Sequence, residues 1–279
     1  MNEKNKIVQG GKGILLCLLF YIAFVAIAKG SMDLLDLDRA GRYLLSSAQR
    51  LIFGLFGLWL FVRIYDKKSW RNVIHTRGLK SSMKVGWVLF LDMALLAVTI
   101  IFSVKSFVET TVLTVVSKLF FQQITTGLWE EITFRGFVCE GYWQNGELTK
   151  KKRIIYALIS FTLFGMIHAY DALTSGSDLW WTFIRFLKTG TTGMAFTAMY
   201  MYTGCLLGPM IMHFIFDIVA NIPGLVAEWK DNAFFNFMNE IGLNVIYVLI
   251  AAVAVVYLLK EPLYKNNTIM HDDENAASA

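Results

Sequence analysis

The run GILLCLLFYIAFVAIA at residues 13–28 carries no charged side chain and is bounded by Lys12 and Lys29. Taken with its flanks it approaches the roughly 20 mostly apolar residues that a bilayer-spanning helix needs, and it lacks the polar face of a surface helix. The same signature returns clearly at 85–104 and 241–260, and more weakly at 45–65, 119–143, 154–170, 180–203 and 205–227. These windows predict an all-α fold, a polytopic membrane helix bundle of about eight transmembrane helices. Lys4, Lys6 and Lys12 ahead of the first run, and Ala26-Ile27-Ala28 near its end, give it the outline of a secretory signal peptide. The further spans, and Lys29 directly after the small residues, favour a retained first span.

Composition agrees. Of 279 residues, 56% are apolar or aromatic, against about 45–50% with glycine counted in for soluble domains. Only 17% are charged and 3 are proline, which disfavours a disordered chain or a collagen. The net charge of +5 sits beside apolar runs and forms no basic stripe interleaved with aromatics, so no nucleic-acid partner is expected. Lys and Arg concentrate at residues 4–12, 63–84, 150–153 and 260–265, alternate connections of an eight-span chain, which predicts both termini cytoplasmic. The 3 cysteines, Cys17, Cys139 and Cys205, lie in or at apolar stretches and form no disulfide framework. No repeat or composition shift divides the chain, so residues 1–279 are read as one transmembrane domain, with a polar tail at 261–279 expected to be disordered. A multi-pass position in the cell membrane, in contact with lipids, follows.

A charge at mid-bilayer costs about 2.5–3.5 kcal/mol on insertion scales, so each charged residue in a span needs a partner or a task. Asp92 is one such residue, expected to make a helix-helix hydrogen bond or to face a pore. Arg185 and Lys188, beside Trp180 and Trp181, are expected to snorkel to the outer interface. In Trp129-Glu130-Glu131-Ile132-Thr133-Phe134-Arg135, Glu131 and Arg135 are four apart and share a helix face, where an ion pair carries both inside. Glu130 points about 100° away, which frees it to act as a general base. Phe164 and His168 close the fifth window. His213, Asp217 and Asn221 follow at four-residue steps along one face of the seventh, the pattern of a lined cavity or of a polar seam between helices. Glu130 as base, His168 to share its proton, and His213 with Asp217 to hold a carbonyl oxygen would suffice to turn water against an amide. Glu130, His168 and His213 could equally ligate a divalent metal such as zinc. Spacing leaves both open, because no H-E-x-x-H occurs.

Three ordered motifs, Glu130-Glu131 with Arg135, Phe164 with His168, and His213 with Asp217, resemble the signature of the CPBP intramembrane proteases. This group is also called the CAAX-protease and bacteriocin-processing, or Abi, family, and it includes the type II CAAX prenyl endopeptidases. The likeness covers roughly residues 119–227. It implies proteolysis of a membrane-associated peptide or protein, with Glu130 and His168 activating water, His213 and Asp217 at the oxyanion, and Glu131, Arg135 and Asn221 supporting the site. Bacteriocin processing or self-immunity is the implied setting. The prenyl-processing members usually carry Asn where this chain has Asp217, and an ionised carboxylate cannot donate to an oxyanion; Asp217 is either protonated or orients His213 or a metal.

Two other readings use the same residues. A non-catalytic immunity or scaffold protein would keep the fold without the chemistry, although intact Glu130, His168 and His213 argue against it. A proton-coupled transporter would relay protons through these acids and histidines, but its usual inverted repeats are not evident.

Overall fold

The computed structural model describes residues 3–65, 74–139, 149–230, 232–238, 242–265 and 268–269. Lys67, Lys68 and Arg71 of the expected inner connection, residues 140–143 of the fourth window, and much of the expected tail including His271 lie outside the described residues.

Helices α1 (Glu3–Leu34) and α2 (Arg39–Ile64) form an antiparallel pair. Asp38 starts α2 by accepting a hydrogen bond from the Gly41 amide at 2.7 Å, which satisfies one of the orphan donors of the first turn. α3 (Leu79–Val85) and α4 (Trp87–Ser103) meet at Gly86 with a 61° bend. A helical rod then runs over 112–139, built of α5 (Val112–Val116), a π-helical turn (Ser117–Phe121), α6 (Gln122–Glu131) and a second π-helical stretch (Ile132–Phe137). α7 (Lys150–Thr174) and α8 (Leu179–Thr203) pack as a long hairpin. Asp178 caps the start of α8 by accepting from the Trp181 amide at 2.8 Å. Gly204, at φ 68°, ends it in the left-handed conformation that glycine adopts without steric cost. α9 (Leu207–Asn221), α10 (Ala233–Phe237) and α11 (Leu243–Leu259) complete the helices. Two short antiparallel pairs tie connections together: β1 (Val104–Phe107) with β2 (Val226–Trp229), and β3 (Tyr264–Lys265) with β4 (Thr268–Ile269).

Among the described residues, four helical segments are by length and composition able to cross a membrane: Gly11–Met32, Arg39–Ile64, Lys150–Thr174 and Leu207–Leu225. The bent α3–α4 pair makes a fifth if it counts as one span. This is fewer than the eight expected. The rod carries Gln122, Gln123, Glu130, Glu131 and Arg135, α8 carries Arg185 and Lys188, and α11 is apolar but short. Residues 131–139 of the rod and 190–201 of α8 are buried, whereas in the first half of α8 Arg185 is exposed and Lys188 half-buried. Apolar side chains such as Leu15, Leu19, Ile22, Ile52, Leu55 and Trp59 instead face outward from α1 and α2. For the rod, a polar segment held inside apolar ones is the arrangement that hydrocarbon demands.

The core between α1, α2 and the rod is aromatic. Trp129 lies 4.2 Å from Phe24 and 6.1 Å from Tyr21, centroid to centroid, with Phe20 and Phe134 around it. Cys17, Cys139 and Cys205 are buried, and none forms a disulfide among the described residues.

The two ends of the bundle differ. At one end Tyr65 Oη donates to the Phe137 carbonyl at 2.7 Å, and Arg153 donates to the carbonyls of Leu258 and Lys260 at 2.6 and 2.8 Å. The Leu263 amide reaches the Tyr202 carbonyl at the same end. That end therefore gathers the start of α7 and the finishing turns of α2, the rod, α8 and α11. The opposite end holds the α1–α2 and α7–α8 connections and the end of α9.

Candidate active site

The second π-helical stretch begins directly after Glu131, and Arg135 lies within it. Such stretches recur at functional sites because they turn a few side chains away from regular helical spacing. Glu131 and Arg135 are fully buried and paired, Arg135 Nη1 donating to Glu131 Oε1 at 2.9 Å. The guanidinium also sits over the rings of Phe164 and Phe196, at 4.4 and 5.1 Å from their centroids. A carboxylate and two ring faces thus replace the water that a buried arginine has lost. Gly193 makes room for the stack, since a Cβ there would lie 3.0 Å from Phe164 and 3.1 Å from Arg135.

The same Glu131 oxygen reaches a third helix: His213 Nδ1 lies 2.7 Å from Glu131 Oε1. The ring of His213 stacks on Phe196 at 4.9 Å and meets Phe164 edge-on at 5.9 Å. With Nδ1 held, Nε2 is the nitrogen left for chemistry. It faces Asp217 Oδ2 at 3.4 Å and Glu130 Oε2 at 3.7 Å. Exposure rises outward through this set: the side chains of Glu131 and Arg135 are 0% exposed, His213 4%, Glu130 12% and Asp217 20%. Asn221 donates from Nδ2 to the Asp217 carbonyl at 2.8 Å and so stiffens the end of α9.

Glu130, His213 and Asp217 line a cavity of about 750 Å³. His168 and Asn221 line it too. His168 makes an edge contact with Phe164 at 4.6 Å, but among the described residues no hydrogen bond or ion pair joins it to Glu130. The histidine nearest Glu130 by contact is His213, not His168 as the sequence suggested, because α9 and not α7 packs directly on α6. Gly127 permits that packing: a Cβ there would stand 2.9 Å from the Met210 carbonyl oxygen.

Among the described residues no group of three or more His, Cys, Asp or Glu side chains is placed to hold a metal ion, and Glu130, His168 and His213 are not gathered into one. His213 Nδ1 is held by Glu131, which leaves Nε2 as the ring nitrogen open to a ligand, and His168 meets the edge of Phe164.

Several lining residues escaped the sequence. Arg50 lines the cavity from α2 and Asp171 from α7. Arg185 and Lys188, expected to snorkel to the outer interface, also line the cavity: Arg185 is exposed, like Trp180 and Trp181, and Lys188 is half-buried beside Tyr247 of α11. Arg50 was detectable as an arginine inside an apolar window; the inward turn of α8 had no signal in hydropathy. Asp92, 2% exposed on α4, is hydrogen-bonded to Tyr247 of α11, the helix-helix bond expected as one option.

Residues 112–219 match the family model described as Type II CAAX prenyl endopeptidase Rce1-like, which supports the CPBP/CAAX protease family. No curated protein and no solved structure matches the chain. The family is one of integral membrane proteases, and the chain has several helices able to cross a bilayer: it is a membrane protein.

Proposed function

We propose that this chain, whose family match supports a CAAX-type intramembrane endopeptidase, hydrolyses peptide bonds in its cavity with a water deprotonated by Glu130. The observation that carries this reading is the shared Glu131 oxygen, bonded to both Arg135 and His213, which leaves His213 Nε2 beside Glu130 at the cavity wall.

Glu130 takes a proton from water, and the water oxygen attacks the peptide carbonyl carbon. His213 Nε2 faces the carbonyl oxygen as it gains charge. Asp217 stands 3.4 Å from Nε2 and orients the ring by its charge, leaving the Nε2–H to the carbonyl oxygen. Glu130 returns the proton to the departing amine, with His168, which lines the same cavity, assigned to relay it across a water, so the products are a carboxylic acid and an amine and no proton is lost. Glu131 and Arg135 are positioning residues, and Asn221 supports Asp217. The processing of membrane-associated peptides, including bacteriocin-like ones, is the setting we assign.

Topology belongs to the same proposal: one domain over 1–279 with a core at 119–227, eight crossings and both termini cytoplasmic. The short or polar helices α8, α11 and the rod then cross within the shelter of the others. The cavity is lined by residues near the α7–α8 connection and the end of α9, away from the Lys- and Arg-rich end, so it opens on the non-cytoplasmic side.

The test compares N-termini in the membrane proteomes of cells expressing the wild type and Glu130→Gln. Termini present only with the wild type are expected; identical sets, with the variant folded and expressed, overturn the assignment.

A further inference from the structure

Arg50 of α2 is half-buried at the wall of the cavity that also holds Glu130 of α6. Its guanidinium is fastened on one side. Nη1 donates to Ser46 Oγ one turn earlier, the same oxygen that accepts from Gln122 Nε2 at 3.2 Å, and the guanidinium carbon lies 5.7 Å from the Phe24 ring centroid. Nε is buried and has no hydrogen-bond partner among the described residues; the same holds for Glu130 Oε2. Three acids attract the cation, Glu130 most strongly, then Asp217 and Asp171. Glu130 in turn feels Arg50 more than it feels Arg135. Yet among the described residues none of these acids pairs with Arg50 within 4 Å. A base and a cation that attract one another from the walls of one cavity, without touching, leave a space between them for oxygen atoms.

The oxyanion has room for a second donor. His213 Nε2 supplies one N–H, and an ionised Asp217 supplies none. Neighbouring donors are engaged: Thr126 with the Gln122 carbonyl, Gln123 with the Lys118 carbonyl and Asn221 with the Asp217 carbonyl. Arg185 and Lys188 answer Asp171 and Asp92. We propose that Arg50 is a further catalytic residue, whose guanidinium donates to the oxygens of the tetrahedral intermediate alongside His213. The inference rests on the peptidase reading above. Addition of water leaves two oxygens on one carbon, the former carbonyl oxygen, which takes the electron pair of the broken π bond, and the added hydroxyl. A guanidinium fork suits such a pair. At that moment Glu130 holds the proton from water and has lost its charge, so the attraction of Arg50 passes from the base to the oxyanion, a gain confined to the transition state. The electron pair then re-forms the C=O bond, the C–N bond breaks, and the proton goes to the amine.

The test uses the full chain in nanodiscs of zwitterionic lipid. The probes are two N-terminally labelled, C-terminally amidated pools of randomised apolar hexapeptides. One carries a central phosphinate, an uncleavable anion with two oxygens on one tetrahedral centre, and the other an uncharged ketomethylene. Fluorescence polarisation is expected to show the phosphinate pool binding about tenfold or more tighter. That preference should vanish in Arg50→Gln, with ketomethylene affinity and melting temperature close to wild type, and survive in part in Arg50→Lys, which keeps the charge without the fork. Arg185→Gln, which removes a cavity cation that answers Asp171, should leave it intact. Equal binding of the two pools, no binding of either, a preference that survives Arg50→Gln, or an equal loss in Arg185→Gln overturns the proposal. Cleavage of the corresponding all-amide pool is scored separately and should fall about 10²-fold in Arg50→Gln. Glu130-dependent cleavage that Arg50→Gln leaves unchanged sinks the proposal and spares the peptidase reading, whereas an Arg50-dependent preference without any cleavage supports the anion site and sinks the reading.

Discussion

Glu131 and His213, 82 residues apart in sequence, are joined by a 2.7 Å contact through an oxygen that Arg135 also binds. The hydrolytic wall and the buried ion pair are thus one unit, and disturbing either should disturb both. Arg135→Ala leaves the Glu131 charge buried without its partner, a loss of about 3–5 kcal/mol. A sharply lower melting temperature is expected, and adding Glu131→Gln to that variant should restore part of it. Normal thermal stability of purified Arg135→Ala would count against a positioning role for the pair.

The two histidines should separate by stability. His213→Ala removes a bond to Glu131 and two ring contacts, so activity and melting temperature fall together. Among the described residues His168 makes an edge contact with Phe164 and no hydrogen bond, so in His168→Ala activity should drop by about 10²-fold or more while the melting temperature stays close to that of the wild type. A large loss of stability in His168→Ala would show that the ring has structural partners that its geometry does not suggest.

Gly127→Ala tests the approach of α6 to α9. Its new methyl would meet the Met210 carbonyl at 2.9 Å and the Phe214 amide at 3.5 Å, and overpacking of this kind costs about 1–3 kcal/mol. Lower stability with reduced cleavage is expected, since α9 must shift and carry His213 with it. Calorimetry and a cleavage assay that both match the wild type would place the contact elsewhere.

Chelation separates the two ways of activating water. Because no ligand group forms from Glu130, His168 and His213 among the described residues, cleavage should survive dialysis against a strong zinc chelator. Activity that disappears on dialysis and returns with zinc would make Glu130, His168 and His213 ligands instead.

Membrane orientation is open to labelling in intact cells. Ser177, on the α7–α8 connection, lines the cavity, and the native thiols are buried. Ser177→Cys should react with a membrane-impermeant maleimide added outside, whereas Lys151→Cys should react only after the cells are opened. The reverse pattern turns the cavity toward the cytoplasm.

What could be read from the sequence was whatever an apolar environment makes costly. Glu131 with Arg135, and His213 with Asp217, stood out because a polar group in an apolar window needs a partner, and a residue four positions along the same helix is placed to be one. Both spacings are contacts in the structure. Helix locations were legible for the same reason. The relative rotation of helices was not: hydropathy gave no sign that Arg185 and Lys188 also line the cavity, and it paired Glu130 with His168 when α9 brings His213 within 3.7 Å. Such choices depend on which helices touch, and here that is set by small residues such as Gly127, whose significance appears only when the opposing carbonyl is in view. The span count suffered from a related ambiguity, since a polar helix sheltered by neighbours and a polar helix outside the bilayer have the same composition.

Because Glu131 and Arg135 belong to one helix, four residues apart, their charges compensate before that helix has met any other. During synthesis the rod is offered to the bilayer long before His213 has been made, and it enters as an internally neutralised segment with one acid, Glu130, still to be sheltered. A partner supplied by α9 could not have served at that moment. The order of the residues along the chain thus suits membrane insertion as well as catalysis, and exchanging Arg135 for an arginine on a later helix should impair biogenesis even if the finished site were identical.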